Sequence, residues 1–535
     1  MMGTSRRRGI AVLAGLAIGA LALAGCTGGG GGGGGDEQPA WVGVVGGDPM
    51  NFGLNSQLAV GSAPKLFSAQ ILDPLIYMSD DYEFSPALAE SWELSDDGLT
   101  LTLHLRSGVK WHDGKPFTAE DVKFNFDEIV PLQAYGSELS ARIADVEIAD
   151  ESTVVVHLKK PYGPLLENLS TQFMLPKHVY EGTDYVTNPA NNHPIGTGPM
   201  MFDSYVEGSQ VILAKNPDFW GGDVKVDKAV YTVIPDISAR AEALFAGEVD
   251  EAVLHPSKQQ RVSGDDDTQL LTHGAFPEEI VMIQNTEKKF LSDPAVRKAV
   301  FSAIDRTAIV NKALSGLGVP SKGFVPDTIG WAVDPDIDFT EQFPYDVDAV
   351  NAALDKAGYP RGADGTRFTL DVVYINALHA VVSSVEMVES MLADVGIKVK
   401  LDGVGGAAYV DRVYAKGDYD LAFVRSSVGP DPSLGIVNWY ACNKDRQPGR
   451  NPTGMCDPEL DAAASAALDT SDRDKRSAAL RTVQQRAADL MFYAPLVWYD
   501  GAFPTVNTSR WQRADEPAIQ ADRRPWLTMT PANGK

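Results

Sequence analysis

Positive charge, cysteine and histidine are all in short supply in this chain. Lys and Arg number 46 against 72 Asp and Glu in 535 residues, a net charge of −26. Such a balance repels nucleic acid and anionic lipid surfaces, so neither is expected as a partner. The 8 histidines are scattered, with no His-Glu-x-x-His or paired-His spacing, and no metal site is expected. A Gly-x-Ser-x-Gly elbow and a phosphate-binding Gly-x-x-x-x-Gly-Lys loop are missing too, which removes the commonest hydrolase and nucleotide signatures. Gly403-Val404-Gly405-Gly406-Ala407-Ala408 fits Gly-x-Gly-x-x-Ala. A dinucleotide fold would want an acid at the end of the following strand, whereas Asp418 and Asp420 sit at its start. A glycine-rich crossover turn is the better reading, and no enzyme, cofactor or catalytic residue is expected. Asp334-Pro335-Asp336-Ile337-Asp338 alternates like a calcium loop, but Phe339 and Tyr345 stand where an EF-hand needs glycine and glutamate.

Long apolar runs are absent but for one, Gly9 to Gly25, preceded by Arg6, Arg7 and Arg8. Basic, apolar, then small residues is the layout of a secretory signal, here residues 1–25. Leu23-Ala24-Gly25-Cys26 resembles the lipobox of bacterial lipoproteins, which implies lipidation of Cys26 after cleavage. An ordinary signal peptide or a short membrane anchor is the alternative; the run is marginal for a span of ~30 Å. Ser5-Arg6-Arg7 hints at twin-arginine export, although Gly9 sits where a bulky apolar residue is usual; either route fits. Eight glycines, Gly28 to Gly35, follow within residues 26–39. They read as a flexible leash, about a dozen residues spanning ~19 Å r.m.s.. The expected location is the extracytoplasmic face of the cell membrane, held by lipid.

With the signal removed the net charge is −29, and the remaining length suits two or three domains. Cys442 and Cys456 remain as an even pair. In an exported chain they read as one disulfide closing a short loop, with a two-ligand metal site as the alternative. Strands and helices alternate along the body. Leu99, Leu101, Leu103 and Leu105 mark a half-buried strand entered through the turn signal Asp97-Gly98. Thr118 to Asp121 resembles a capping box, and Asp293-Pro294 is a second helix start. Strands over 368–374, 397–401 and 419–424 alternate with helices over 381–395 and 407–416, the pattern of an α/β layer. Helices over 458–468 and 472–491 precede a last strand near 495–499.

Several blocks occur in a recognisable order. Leu88-Ala89-Glu90-Ser91-Trp92 leads to Gly108-Val109-Lys110-Trp111-His112-Asp113-Gly114-Lys115-Pro116-Phe117-Thr118-Ala119-Glu120-Asp121-Val122. Pro194-Ile195-Gly196-Thr197-Gly198-Pro199, Asn216-Pro217-Asp218-Phe219-Trp220 and Gly247-Glu248-Val249-Asp250 follow. Asn285-Thr286, Val296-Arg297-Lys298-Ala299, Ala303-Ile304-Asp305-Arg306, Gly396-Ile397-Lys398-Val399 and Tyr419-Asp420-Leu421 complete the series. Over some 400 residues this resembles the family 5 extracellular solute-binding proteins of bacterial ABC importers. The resemblance implies an α/β, two-lobed periplasmic-binding-protein-like fold of the large three-domain type. Residues 40–78, 193–283 and 497–535 would form a discontinuous first domain, 79–192 an inserted second and 284–496 the opposing third. Ligand would lie between the first and third.

The implied function is capture of a solute, an oligopeptide foremost, for delivery to a membrane permease by a monomeric receptor. A sugar or other polar solute, or a surface sensor without transport, are the alternatives. In peptide-binding members an aspartate after the Tyr-Asp-Leu strand holds the peptide amine; here Val428 takes that position and Arg425 lies near the usual tryptophan. In dipeptide binders an arginine after the 368–374 strand captures the carboxylate; here Ile375 and Asn376 stand there. Arg425, Ser426, Ser427 and Val428 are the expected contacts from the third domain, and Gly47, Asp48, Met50 and Asn51 from the first. Tyr374, Asn376, His379, Trp439 and Tyr440 are candidate walls, core packing being the alternative for the aromatics. A guanidinium in a closed cleft needs an anion, so Arg425 should meet either the ligand or an acid such as Asp431.

Overall fold

The computed structural model describes residues 38–46, 62–79, 82–271, 278–499, 504–512 and 525–532. Local signals act where expected. Asp97-Gly98 closes a hairpin in which the Gly98 N–H donates to Ser95 O at 2.8 Å, with Gly98 at φ +69°. The strand that leaves it, Thr100–Leu105, buries Leu101, Leu103 and Leu105 and shows its other residues outward. It joins Ala89–Leu94, Thr153–Leu158 and Ile143–Asp150 in a four-stranded antiparallel sheet. Thr118 and Asp121 form the capping box at the start of Ala119–Phe124, and the Asp293 carboxylate caps Pro294–Ser302.

Two larger sheets dominate the remainder. One has seven strands in the order Thr268–Leu270, Pro504–Asn507, Glu251–Val253, Trp41–Val45, Lys228–Val233, Gln210–Lys215, Met200–Val206. Within it Trp41–Val45 runs parallel to both Lys228–Val233 and Glu251–Val253. The other has six, ordered Val319–Pro320, Tyr493–Tyr499, Glu278–Gln284, Leu421–Ser427, Phe368–Ile375, Ile397–Val404. Its last three strands are mutually parallel, joined by crossover helices such as His379–Asp394, and its core is the largest of the described residues.

Sheet membership corrects two expected boundaries. Glu278–Gln284 lies inside the six-stranded sheet, paired to both Tyr493–Tyr499 and Leu421–Ser427, so the change of sheet falls between 270 and 278 and not at 283. Likewise Tyr493–Tyr499 is unbroken across 496 and the change falls between 499 and 504. Each strand is held by a partner some two hundred residues away, which no local pattern announces.

The small sheet is joined to the six-stranded body by apolar and ionic contacts. Leu434 and Leu468 complete the core beneath the small sheet. Arg142 pairs with Asp469 at 2.6 Å, and Lys160 meets the same carboxylate at 2.8 Å. Arg476 is buried among Asp431, Glu167 at 3.7 Å and the Trp331 ring at 4.9 Å. Close backbone approach explains the glycines of Pro194–Pro199. A Cβ on Gly196 would lie 1.8 Å from Ile71 O, and the Gly198 N–H donates to that same carbonyl at 2.9 Å.

Candidate ligand-binding site

Strand direction places the site. Phe368–Ile375, Ile397–Val404 and Leu421–Ser427 are parallel, so their carboxyl ends share one end of the six-stranded sheet. The antiparallel Glu278–Gln284 begins at that end, and Tyr493–Tyr499 finishes there. Both chain crossings to the seven-stranded sheet leave from it. On the seven-stranded side, the parallel Glu251–Val253 runs out to His255, whose ring centroid lies 6.0 Å from that of His379. Carboxyl strand ends from both sheets therefore meet here, the position at which α/β sheets bind ligands.

Leu421–Ser427 is longer than its sequence suggests. Arg425, Ser426 and Ser427 are strand residues, in register with Ile280, Glu279 and Glu278, and do not belong to a loop beyond the strand. The anion that Arg425 requires is Glu278, with Nε 3.1 Å from its carboxylate and both side chains mostly covered. Asp431 does not serve: it is 1 % exposed, accepts from the Ser433 N–H at 2.7 Å and pairs with Arg476. Burial chiefly raises the Tyr499 hydroxyl pKa, Glu278 adding to the rise and Arg425 opposing it.

The remaining expected contacts divide. Tyr374 is half-buried and lies across Gly403, where a Cβ would stand 2.9 Å from its ring. Gly403 thus serves packing, not phosphate binding. Asn376 and His379 are exposed at the same end, the Asn376 N–H donating to Val404 O at 3.0 Å. Trp439 is half-buried, stacked on Tyr493 at 5.4 Å, its indole N–H donating to Ser427 O at 3.4 Å. Tyr440 and Val428 pack in the core, 3 % and 2 % exposed; the Tyr440 hydroxyl donates to Tyr493 O at 2.7 Å. Gly47, Asp48, Met50, Asn51 and Cys26 lie outside the described residues. Cys442 and Cys456 are joined by a disulfide, Cα atoms 4.5 Å apart, beyond the helix Pro432–Tyr440 that carries Trp439.

Sequence reasoning missed Glu278, Glu279, Tyr499 and His255. The two adjacent acids opening the apolar run Ile280–Ile283 were the available signal, since carboxylates rarely enter a buried strand without a task. Glu279 is 3 % exposed, and burial pushes its carboxyl up to about 8. His255 is held below the ordinary histidine pKa, by burial first and then by the charges of His379 and Lys258. His112, in the most recognisable block, is structural. One ring nitrogen accepts from the Gly196 N–H at 3.2 Å and the other lies 3.0 Å from Gly198 O, while Asp113 turns to His178. Among the described residues no group of three or more His, Cys, Asp or Glu side chains could hold a metal ion.

Opposed carboxyl ends of two α/β sheets, crossed twice by the chain and backed by an accessory sheet, define the two-lobed periplasmic-binding-protein class. Residues 83–447 match the model of the bacterial extracellular solute-binding proteins, family 5. A Brucella ovis protein named as an ABC transporter peptide-binding protein is 33% identical over 425 residues, 77% of this chain and 78% of its own. Di/tripeptide-binding protein 1 of Pseudomonas aeruginosa is 30% identical over 429 residues, 75% and 78% of the two chains. The ABC transporter-associated periplasmic binding protein of Helicobacter pylori, solved with the peptide STSA, shares the fold with a TM-score of 0.79. It is 24% identical and the match covers 92% of this chain and 98% of that one. The chain belongs to family 5 of the bacterial extracellular solute-binding proteins. It is a substrate-binding protein of an ABC importer, not an enzyme.

Proposed function

We propose that this receptor captures an oligopeptide between its lobes, delivers it to a membrane permease, and is held at the extracytoplasmic surface by a lipid on Cys26. The domain division that goes with this reading is a seven-stranded lobe and a six-stranded lobe closing on the solute, with the residues of the four-stranded sheet as an inserted domain. One observation carries the peptide assignment: relatives named for peptide binding match three-quarters of the chain. The geometry is compatible with it. At Arg425–Ser427 the strand end is half-exposed, and Tyr374 and Trp439 offer flat apolar surface beside it. Extended backbone is recognised well by such strand ends, with side-chain selectivity supplied by neighbouring pockets. Arg425 is neutralised by Glu278, so no free cation on this strand awaits a peptide carboxylate.

Removing solute from water by lobe closure strengthens each hydrogen bond made to it, which gives a receptor affinity without catalysis. Among the described residues no helix is long and apolar enough to cross a membrane. The decisive experiment is mass spectrometry of small molecules released from protein purified out of its own host. Peptides are the expected cargo; a sugar or another non-peptide solute in their place would overturn the assignment.

A further inference from the structure

The segment that carries the four-stranded sheet belongs with the seven-stranded lobe: its Phe124, Phe173 and Leu175 share one core with Trp41, Met200 and Tyr231. Its contacts with the six-stranded body therefore cross between the lobes, and they gather in one place. The Gly163 N–H donates to Leu468 O at 2.9 Å, and the Arg476 guanidinium donates back to Gly163 O at 3.2 Å. A Cβ on Gly163 would stand 2.5 Å from Thr470 O, so a larger residue would hold the two surfaces apart. Tyr135 reaches over from the same side to Gly429, where a Cβ would lie 2.8 Å from its hydroxyl. Gly429 and Asp431 belong to the turn that leaves the strand Leu421–Ser427, so these contacts meet the chain directly beyond the site.

At the centre Glu167, Asp431 and Arg476 are 9 %, 1 % and 4 % exposed. Asp431 takes the closer contact with the guanidinium and leaves Glu167 at 3.7 Å. The charged groups that act on Glu167, namely Asp431, Arg476 and the exposed Arg473, all come from the six-stranded lobe. From its own lobe Tyr162 faces the same guanidinium, and farther out Arg142, paired with Glu138, and Lys160 hold Asp469. Two carboxylates thus share one buried cation only while the lobes are together. We propose that this interface is a proton-coupled clasp: closure over cargo places a proton on Glu167, and loss of that proton favours opening. This rests on the reading of two lobes that close on a solute, and adds a control on how firmly they stay shut. With the surfaces together, burial and then Asp431 raise the Glu167 carboxyl from 4.5 to about 7. Parting removes both causes. The closed form binds the proton more tightly, so the clasp weakens as pH climbs through that window.

The clasp itself is read on the solute-free protein by hydrogen exchange at the Gly163 amide, whose bond crosses the interface. Glu167→Gln keeps the shape but cannot ionise. Protection of that amide in the wild type, relative to the variant, should fall by up to about 15-fold from about pH 5.5 to about pH 7, the ratio for one group moved from 4.5 to about 7. Lys160→Ala removes an exposed pair of the same interface and should lower protection at both pH values alike. Coupling to cargo is read with the best-retained histidine-free peptide of a tryptic casein digest, synthesised and titrated by calorimetry. The variant-to-wild-type affinity ratio should rise by the same factor. In buffers of different ionisation enthalpy the wild type should take up close to one proton more per peptide than the variant at about pH 6. The His255–His379 contact titrates in the opposite sense and is common to both proteins, so it cancels from these ratios. A protection ratio that stays level overturns the clasp and leaves the peptide reading intact. A falling protection ratio with a fixed affinity ratio overturns its coupling to cargo. Retention of no peptide overturns the peptide reading, and the exchange result still decides the clasp.

Discussion

Replacing Glu167 with Gln should make the protein gain stability relative to wild type as pH rises. Glu167 shares the buried Arg476 guanidinium with Asp431, which holds the closer contact and also caps the turn at Ser433. One cation cannot serve two buried carboxylates equally. Burial, then the charge of Asp431, raises Glu167 from 4.5 to about 7, with Arg476 opposing. An acid whose folded pKa is raised binds more protons folded than unfolded between those values, so stability falls as pH climbs through that window. At 1.36 kcal/mol per unit the penalty amounts to at most ~3 kcal/mol, fully present above pH 7 and absent below 4.5. The glutamine cannot ionise and escapes this loss. Equilibrium urea unfolding followed by tryptophan fluorescence, run from about pH 4.5 to about pH 7.5, should show the variant-minus-wild-type difference rising by ~2–3 kcal/mol. A difference that stays flat, or falls as pH rises, would refute the reasoning, because Glu167 would then be an ionised partner of Arg476. Asp431→Asn is the contrasting change. It removes the favoured partner of a buried cation and should cost ~3–5 kcal/mol, moderated as Glu167 ionises in its place.

Arg425→Ala should lower stability by about 1–3 kcal/mol by taking the guanidinium away from the half-buried Glu278, while changing peptide affinity little; calorimetry showing a loss of ~2 kcal/mol or more in binding would instead place Arg425 on the ligand. The His255–His379 contact should weaken in acid. With the His255 pKa depressed below 6.5, its contribution is present above that pH and is lost as pH falls through it, so the radius of gyration by X-ray scattering should grow on acidification, and less so in His379→Gln. An identical pH response in both proteins would exclude these rings as the cause. Cys26→Ala should move the protein from the membrane fraction to the soluble fraction; a variant that still partitions into detergent would rule out lipid on this residue.

Much of the α/β layer was legible because its signals are local. Leu99 to Leu105 alternates, Thr118 and Asp293 cap, and Gly396 stops a helix, each within a few residues. What local pattern could not show is where a strand ends when a distant partner extends it. Arg425 to Ser427 read as a loop because nothing nearby reveals the ladder with Glu278 to Ile280. Which acid meets Arg425 was hidden for the same reason: Asp431 is six residues away and is claimed by Arg476, while Glu278 is 147 residues away and lies beside it. Trp439 and Tyr440 are neighbours with opposite fates, one half-buried near the strand ends and one in the core. Helix rotation against the sheet decides between them, and that depends on Tyr493.

The last strands carry a consequence for the order of assembly. Tyr493–Tyr499 fits between Val319–Pro320 and Glu278–Gln284, and Pro504–Asn507 fits between Thr268–Leu270 and Glu251–Val253. Neither sheet can close until the ribosome has made the chain through Asn507. Until then Thr268–Leu270 has no partner at all, and Glu251–Val253 and Glu278–Gln284 each show one bare edge. Such edges are where nascent chains stick to one another. A chain stopped short of residue 493 is therefore not a smaller receptor but two unfinished sheets, and the strands Tyr493–Tyr499 and Pro504–Asn507 act as the seam that completes both at once.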